Sequence, residues 1–200
     1  MTTKPRNIFP NNLYHIYNRA VEKRKIFYTE KDYSRFIEKI FFYKQILKIK
    51  ILSYVILPNH FHLLLEEPDM PTPRVTHPTG RKISIPNISK FVSLLSNSYT
   101  KYFNYNKNHS GRLFEGPFKS KIVDNDLYLQ KLIAYINLNP IKHKLVENIK
   151  DWPYVSHFEL LKIINTKLID KNDLIDTNIY KTILKHNAIE SIKKIDIEFD

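Results

Sequence analysis

The sequence contains no cysteine, which excludes disulfides and any metal site built on thiolates. It contains only three glycines, and no Gly-rich loop of the kind that cradles small-molecule phosphates. No run of about 18 consecutive apolar residues occurs, so no membrane-spanning helix is expected. The first ten residues, MTTKPRNIFP, lack the apolar core of a secretory signal. A soluble, cytoplasmic protein that does not engage a membrane is the expectation.

Positive charge and aromatic rings are plentiful. Lys and Arg number 32 against 20 Asp and Glu, a net charge of +12, alongside 13 Tyr and 12 Phe. Such a surplus attracts phosphate backbones, and exposed rings can stack on bases. A merely basic protein with its rings in the core would show the same totals, so charge alone assigns nothing. The 200 residues suit one domain with an appendage and suffice for a substantial core.

The pattern along the chain predicts an α+β fold. LYHIYNRA at 13–20 alternates as a strand, with Tyr14, Ile16 and Asn18 on one face and His15, Tyr17 and Arg19 on the other. Between Glu30 and Lys48, apolar residues such as Tyr33, Phe36, Ile37 and Ile40 recur at helical spacing. KILSYVIL and HFHLLLE flank Pro58-Asn59, which reads as a tight antiparallel hairpin. Residues 67–87 hold five of the 11 prolines and are expected to form a surface loop or flap. A second helix is expected over 88–108 and an extended segment over 113–123. A third helix over 127–139 is expected to be capped from Asp124, Asn125 or Asp126 and stopped by Pro140. The order strand, helix, strand, strand, helix, strand is a split βαβ sheet with helices packed on it.

Two places carry chemistry. His60 and His62 open the second hairpin strand, and alternation points both to one side with Phe61 on the other. Two neutral imidazoles side by side make half of a metal site; histidines bonded to backbone at the rim of the core are the alternative. On the third helix, Tyr135 and Asn139 are four residues apart and share a face. A Tyr hydroxyl can be the nucleophile of a phosphoryl transfer, and an Asn amide oxygen is an acceptable ligand for a hard cation. Tyr135 sits among Leu132, Ile133 and Ile136, where packing would also explain it, and Tyr99, Tyr102 and Tyr105 are rivals for the nucleophile.

These segments together resemble a family. Pro58-Asn59-His60-Phe61-His62 resembles the His-hydrophobe-His signature of single-tyrosine HUH nucleases, the IS200-like and REP-associated tyrosine transposases. Tyr135-Ile136-Asn137-Leu138-Asn139-Pro140-Ile141-Lys142-His143, with Asp151-Trp152-Pro153 downstream, resembles the second half of that signature. Tyr14-His15-Ile16-Tyr17-Asn18-Arg19 resembles the first strand, and Gly111-Arg112-Leu113-Phe114-Glu115-Gly116 the stretch before the last one. The resemblance runs from about Leu13 to Phe158, with four motifs in the right order.

The resemblance implies a ferredoxin-like or RRM-like antiparallel sheet, βαββαβ, in a catalytic domain over 1–160, followed by a C-terminal helical extension over 161–200. It implies His60, His62 and Asn139 as ligands of Mg²⁺ or Mn²⁺, and Tyr135 as the nucleophile. The activity implied is a DNA endonuclease and strand transferase, a transposase, that forms a 5′-phosphotyrosine intermediate on single-stranded, hairpin-containing DNA. Monomers and homodimers both occur in the family. Arg19, Lys23, Arg24, Lys25, Lys101, Lys107, Arg112, Lys119 and Lys121 fall at loops or element ends near the expected site, where they could position phosphates. The loop at 67–87 is longer than the resemblance needs, and residues 165–200 match nothing in it.

Two other classes stand beside this one. The same sheet serves RRM-like modules that bind nucleic acid without catalysis, and these need neither paired histidines nor Tyr135. A metal-dependent phosphodiesterase using water would keep the histidines and make Tyr135 dispensable.

Overall fold

A computed structural model of the chain describes residues 7–69, 74–76, 82–170 and 173–185. Four strands form its main sheet: β1 (Leu13–Arg19), β2 (Lys50–Ile56), β3 (His60–Glu66) and β6 (Lys119–Val123). Their order is β2-β3-β1-β6, every neighbouring pair antiparallel. The first and second strands in sequence are therefore separated by the third, the split βαβ arrangement of the expected ferredoxin-like sheet.

Helices α1 (Glu30–Leu47) and α2 (Asn87–Asn106) pack together on one face of the sheet. That layer gathers Tyr14, Ile16, Phe61 and Leu63 from the strands with Phe36, Ile40, Phe91 and Leu95 from the helices. The period of two in β1 and β3 meets the 3.6-residue period of the helices here. Phe61 is fully buried, and truncating it to Ala would cost about 3–5 kcal/mol. At the start of α1, the Thr29 N–H donates to Asp32 Oδ2 (2.9 Å), half of a capping box that serves an otherwise orphaned amide.

The opposite face is covered by α3 (Asp126–Lys142), through Leu129, Leu132, Ile133 and Ile136 against Leu13, Val55 and Leu64. The Tyr128 N–H donates to the Asn125 side chain at its start (2.7 Å). Contrary to expectation, Pro140 does not stop this helix, which continues to Lys142. Proline forfeits only one helical hydrogen bond so near the end, and the next turn still closes, the His143 N–H donating to Asn139 O (2.9 Å). Two further segments depart from expectation. The 113–123 segment is strand only from Lys119, with Phe114 contributing a single bridge to Ala20. The 67–87 segment contains a two-stranded sheet, β4 (Arg74–Thr76) paired with β5 (Lys82–Ser84).

Beyond α3 lie α4 (His157–Leu160) and α5 (Thr177–Lys185). α5 packs on α3, where Tyr180 is fully buried, and Leu168 reaches the core on the other face. The rest of the expected C-terminal extension, residues 186–200 and 171–172, lies outside the described residues. No helix among the described residues is long and apolar enough to cross a membrane.

Candidate active site

The Pro58-Asn59 turn is held from three sides. The Ile26 and Phe27 N–H groups donate to Pro58 O (2.7 and 3.0 Å), and the Ala20 N–H donates to Asn59 O (2.8 Å). The Asn59 amide donates to Lys23 O (2.8 Å). The chain leaving β1 thus clamps the turn that starts β3, and this clamp sets where His60 and His62 stand. Across the β1–β3 ladder, Arg19 is opposite His60 and Tyr17 opposite His62. On the other side of β1, Lys119 of β6 is opposite Tyr17.

The face that carries these side chains is the one α3 covers. A buried polar network fixes α3 against β2: the Asn137 amide donates to Ser53 Oγ (3.0 Å) while the Ser156 hydroxyl donates to Asn137 Oδ1 (3.0 Å). Anchored there, α3 sets the Tyr135 ring edge-on to His62, with ring centroids 5.7 Å apart and planes at 87°. An open cavity of about 800 Å³ results, with His60, His62 and Tyr135 on its wall together with Tyr17, Arg19, Lys23, Lys119, Lys142 and His143. The size is that of a ligand site.

Both histidines are held neutral. Burial, reinforced by His143, Arg19 and Lys142, lowers the His60 pKa to about 3. Burial lowers His62 as well, with His15, His60, His143 and Lys142 adding to it. Neutral imidazole is the form that offers a lone pair to a metal. Each ring also has its Nδ1 in a hydrogen bond. His60 Nδ1 donates to Asn59 Oδ1 at 2.6 Å, the amide being oriented by its own bond to Lys23 O. His62 Nδ1 meets His15 Nε2 at 2.9 Å. Nε2 of His60 then remains as the nitrogen able to act as a ligand, and Nε2 of His62 does so where Nδ1 carries the shared hydrogen.

Asn139 lies one turn beyond Tyr135, as expected, but it is fully buried and not on the cavity wall. Its amide donates to Tyr135 O (2.8 Å), while Oδ1 is buried without a hydrogen-bond partner among the described residues. An amide oxygen and two neutral imidazoles are donor types that suit Mg²⁺ or Mn²⁺, although Asn139 does not share the cavity wall with the two histidines. No group of three His, Asp or Glu side chains among the described residues stands ready to enclose a metal. A cation held here would take further ligands from substrate or water.

The rival tyrosines are elsewhere. Tyr99 and Tyr102 are on α2, beyond the sheet, and their hydroxyls donate to Ile26 O (2.8 Å) and Asp32 Oδ1 (3.0 Å). Tyr105 is almost fully exposed on the same helix. The tyrosines on the cavity wall are Tyr135 and Tyr17.

Of the nine candidate phosphate contacts, the cavity gathers Arg19, Lys23 and Lys119. Arg112 lines an adjoining cleft that shares Asn18, Gly116 and Pro117 with the cavity. The others do not line it: Arg24 pairs with His109 and Glu22, Lys25 and Lys107 flank the Tyr28 ring, and Lys121 lies over Tyr128. Lys101 is exposed on α2. Sequence reasoning gave no role to His15, Tyr17, Lys142 or His143. The alternation of β1 could have marked the first two, since they share the face of His62. Lys142 and His143 follow Tyr135 by seven and eight residues, two helical turns on the same side.

No family model matches the chain. A curated protein of Haemophilus influenzae, described as "Putative REP-associated tyrosine transposase", is 27% identical over 114 residues, which cover 52% of this chain and 57% of that protein. The match thus spans little more than half the length of that relative. A solved structure of a REP-associated tyrosine transposase bound to a REP hairpin superposes with a TM-score of 0.62 at 18% identity, covering 88% of this chain and 94% of the other. That likeness extends to the α+β architecture with its four-stranded antiparallel sheet. The chain is thus similar in sequence to a protein described as a REP-associated tyrosine transposase over about half its length, and similar in fold to a solved one over most of it.

Proposed function

We propose that this chain is a metal-assisted single-stranded DNA endonuclease and strand transferase with Tyr135 as its nucleophile. The observation that carries the reading is the edge-on approach of Tyr135 to His62, 5.7 Å between ring centroids, on the wall of a cation-lined cavity. This supports reading Tyr135 as nucleophile and His62 as ligand at a cavity open to a phosphate, roles that an RRM-like binding module does not require. The hairpin-bound relative supports a hairpin substrate for this chain too.

In the proposed reaction the Tyr135 oxygen attacks the scissile phosphorus in line. The new bond joins that oxygen to phosphorus, and the bond from phosphorus to the 3′ oxygen breaks. The phenol proton passes to water, and water delivers a proton to the 3′ oxygen, which leaves as a hydroxyl. The product is a 5′-phosphotyrosine that keeps the phosphodiester's energy, so a second 3′-hydroxyl can reverse the step and join a new strand without ATP. A Mg²⁺ or Mn²⁺ held by His60, His62 and Asn139 would supply Lewis-acid neutralisation of the non-bridging oxygen. Arg19, Lys23 and Lys119 bind and orient the flanking phosphates, and Lys142, with Nζ 5.4 Å from the Tyr135 ring centroid, lowers the cost of charge on the phenol oxygen.

The test is a denaturing gel of labelled hairpin oligonucleotide incubated with the protein and Mn²⁺. A protein–DNA adduct that resists denaturation and releases DNA on proteolysis is expected. Cleavage without an adduct would transfer the chemistry to water, and binding without cleavage would return the chain to the RRM-like class.

A further inference from the structure

We propose that His15 is a positioning residue that holds His62 in its metal-ligating orientation, accepting through Nε2 a hydrogen bond from His62 Nδ1–H. The proposal rests on the reading of His62 as a ligand given above. The contact itself is 2.9 Å long and joins two rings that stack at 5.1 Å with planes 18° apart.

The position of His15 in the fold has no packing logic of its own. It is fully buried on β1, on the face where Leu13, Leu64 and Leu132 form the core with α3. An apolar side chain would fill that place without the cost of desolvating an imidazole. The shared bond offsets that cost and ties the residue to the site. Two ring nitrogens 2.9 Å apart have room for one hydrogen between them. That hydrogen has two positions. If His15 Nε2 carries it, His62 Nδ1 accepts and the hydrogen of His62 is on Nε2, which then cannot bind a cation. If His62 Nδ1 carries it, Nε2 keeps its lone pair. Only the second arrangement is compatible with ligation, so His15 must act as the acceptor. His60 has the same support from a different residue, since Asn59 Oδ1 accepts from its Nδ1. Asn59 fixes one imidazole and His15 the other, and the Tyr17 ring, 5.5 Å from His62 at 21°, closes one face of the second.

The experiment is calorimetric titration of the full chain with Mn²⁺, without DNA, on the wild type and on His62→Ala, His15→Phe and His15→Gln. The ring-sized His15→Phe removes the acceptor and is expected to weaken binding about 10–100-fold, the usual effect of losing a ligand's orienting partner. His15→Gln, whose amide oxygen can accept, is expected to recover part of that loss. Wild-type affinity in a folded His15→Phe, alongside lost affinity in His62→Ala, overturns this proposal and leaves the metal reading intact. No His62-dependent Mn²⁺ binding by the wild type overturns both. Should His15→Phe fail to fold, ring-nitrogen NMR of the wild type loaded with diamagnetic Zn²⁺ decides: a proton on His62 Nδ1 and none on His15 Nε2 supports the proposal, and the reverse overturns it.

Discussion

Lys142 Nζ lies 5.4 Å from the centroid of the Tyr135 ring, two turns along the same helix. A cation over the ring stabilises negative charge developing on the phenol oxygen more than it stabilises the neutral phenol. Replacing Lys142 with Met keeps most of the stem and removes the charge. The expected result is about a tenfold slower adduct formation under single turnover, the equivalent of about 1.4 kcal/mol, with hairpin affinity reduced far less. A rate equal to wild type would separate Lys142 from the chemistry.

Tyr135 and Tyr17 share the cavity wall, and the two are told apart by substitution. Tyr135→Phe is expected to abolish the covalent adduct and keep hairpin binding within a few-fold, since only one oxygen is lost. Tyr17→Phe is expected to keep the adduct, because its ring lies against His62 and His15 on the sheet. Adduct formation by Tyr135→Phe, read on the same denaturing gel, would falsify the assignment and make Tyr17 the nucleophile.

The third ligand is open to the same kind of separation. Asn139 Oδ1 is buried and orphaned, whereas His143 stands on the wall with its ring 4.9 Å from that of His60. Asn139→Ala is expected to weaken Mn²⁺ binding about tenfold, and His143→Ala to leave it within threefold, both read by calorimetry. The opposite ranking would exchange their roles and put an all-nitrogen donor set at the site.

Burial of neutral histidines also fixes a pH dependence of stability. His15 and His60 both have folded pKa values of about 3, below the unfolded 6.5. The unfolded chain therefore binds more protons than the folded one between pH 6.5 and 3. Stability contributed by these groups is fully present above about pH 6.5 and is lost as pH falls towards 3. Each group adds a slope of up to about 1.4 kcal/mol per pH unit in that window. Urea midpoints measured from pH 7.5 to 4 are expected to fall, and to fall less steeply in His15→Phe. A midpoint independent of pH across this range would mean that the rings take up protons in the fold as readily as in the unfolded chain.

What the sequence made legible was periodic. Alternation in β1 and β3 and the Pro58-Asn59 turn were enough to place His60 and His62 on one face, and helical spacing was enough to align Tyr135 with Asn139. Contacts between segments distant in the chain were not legible. His15 and His62 are 47 residues apart, and their bond depends on the β1–β3 register. Spacing also cannot show on which face of the sheet a helix lies, and this is what separates Tyr135 from Tyr99. The continuation past Pro140 was hidden for a local reason, since the cost of a proline depends on how many helical bonds follow it.

Arg19, Lys23, Lys119 and Lys142 converge on one cavity, whereas Lys101 and Lys107 belong to or follow α2 on the far face of the sheet. With Lys142 committed to the phenol oxygen, Arg19, Lys23 and Lys119 meeting three phosphates of a single strand should give a log–log salt slope of about −2, at about −0.7 per contact. Arg19 is partly engaged by Glu115 (3.3 Å), an exposed pair of small worth that a phosphate can displace. Substituting Lys23 or Lys119 with Ala is therefore expected to weaken single-stranded hairpin binding several-fold and make the slope shallower by about 0.7. Lys101→Ala should change neither. Blunt duplex of the same sequence is expected to be cut poorly, because an in-line attack requires a strand that can pass Tyr135 inside the cavity. Fluorescence anisotropy at several salt concentrations measures the slopes, and single-turnover cleavage compares the substrates. If Lys101→Ala alters binding as much as Lys119→Ala, DNA tracks the α2 face and the cavity is not the route of the strand.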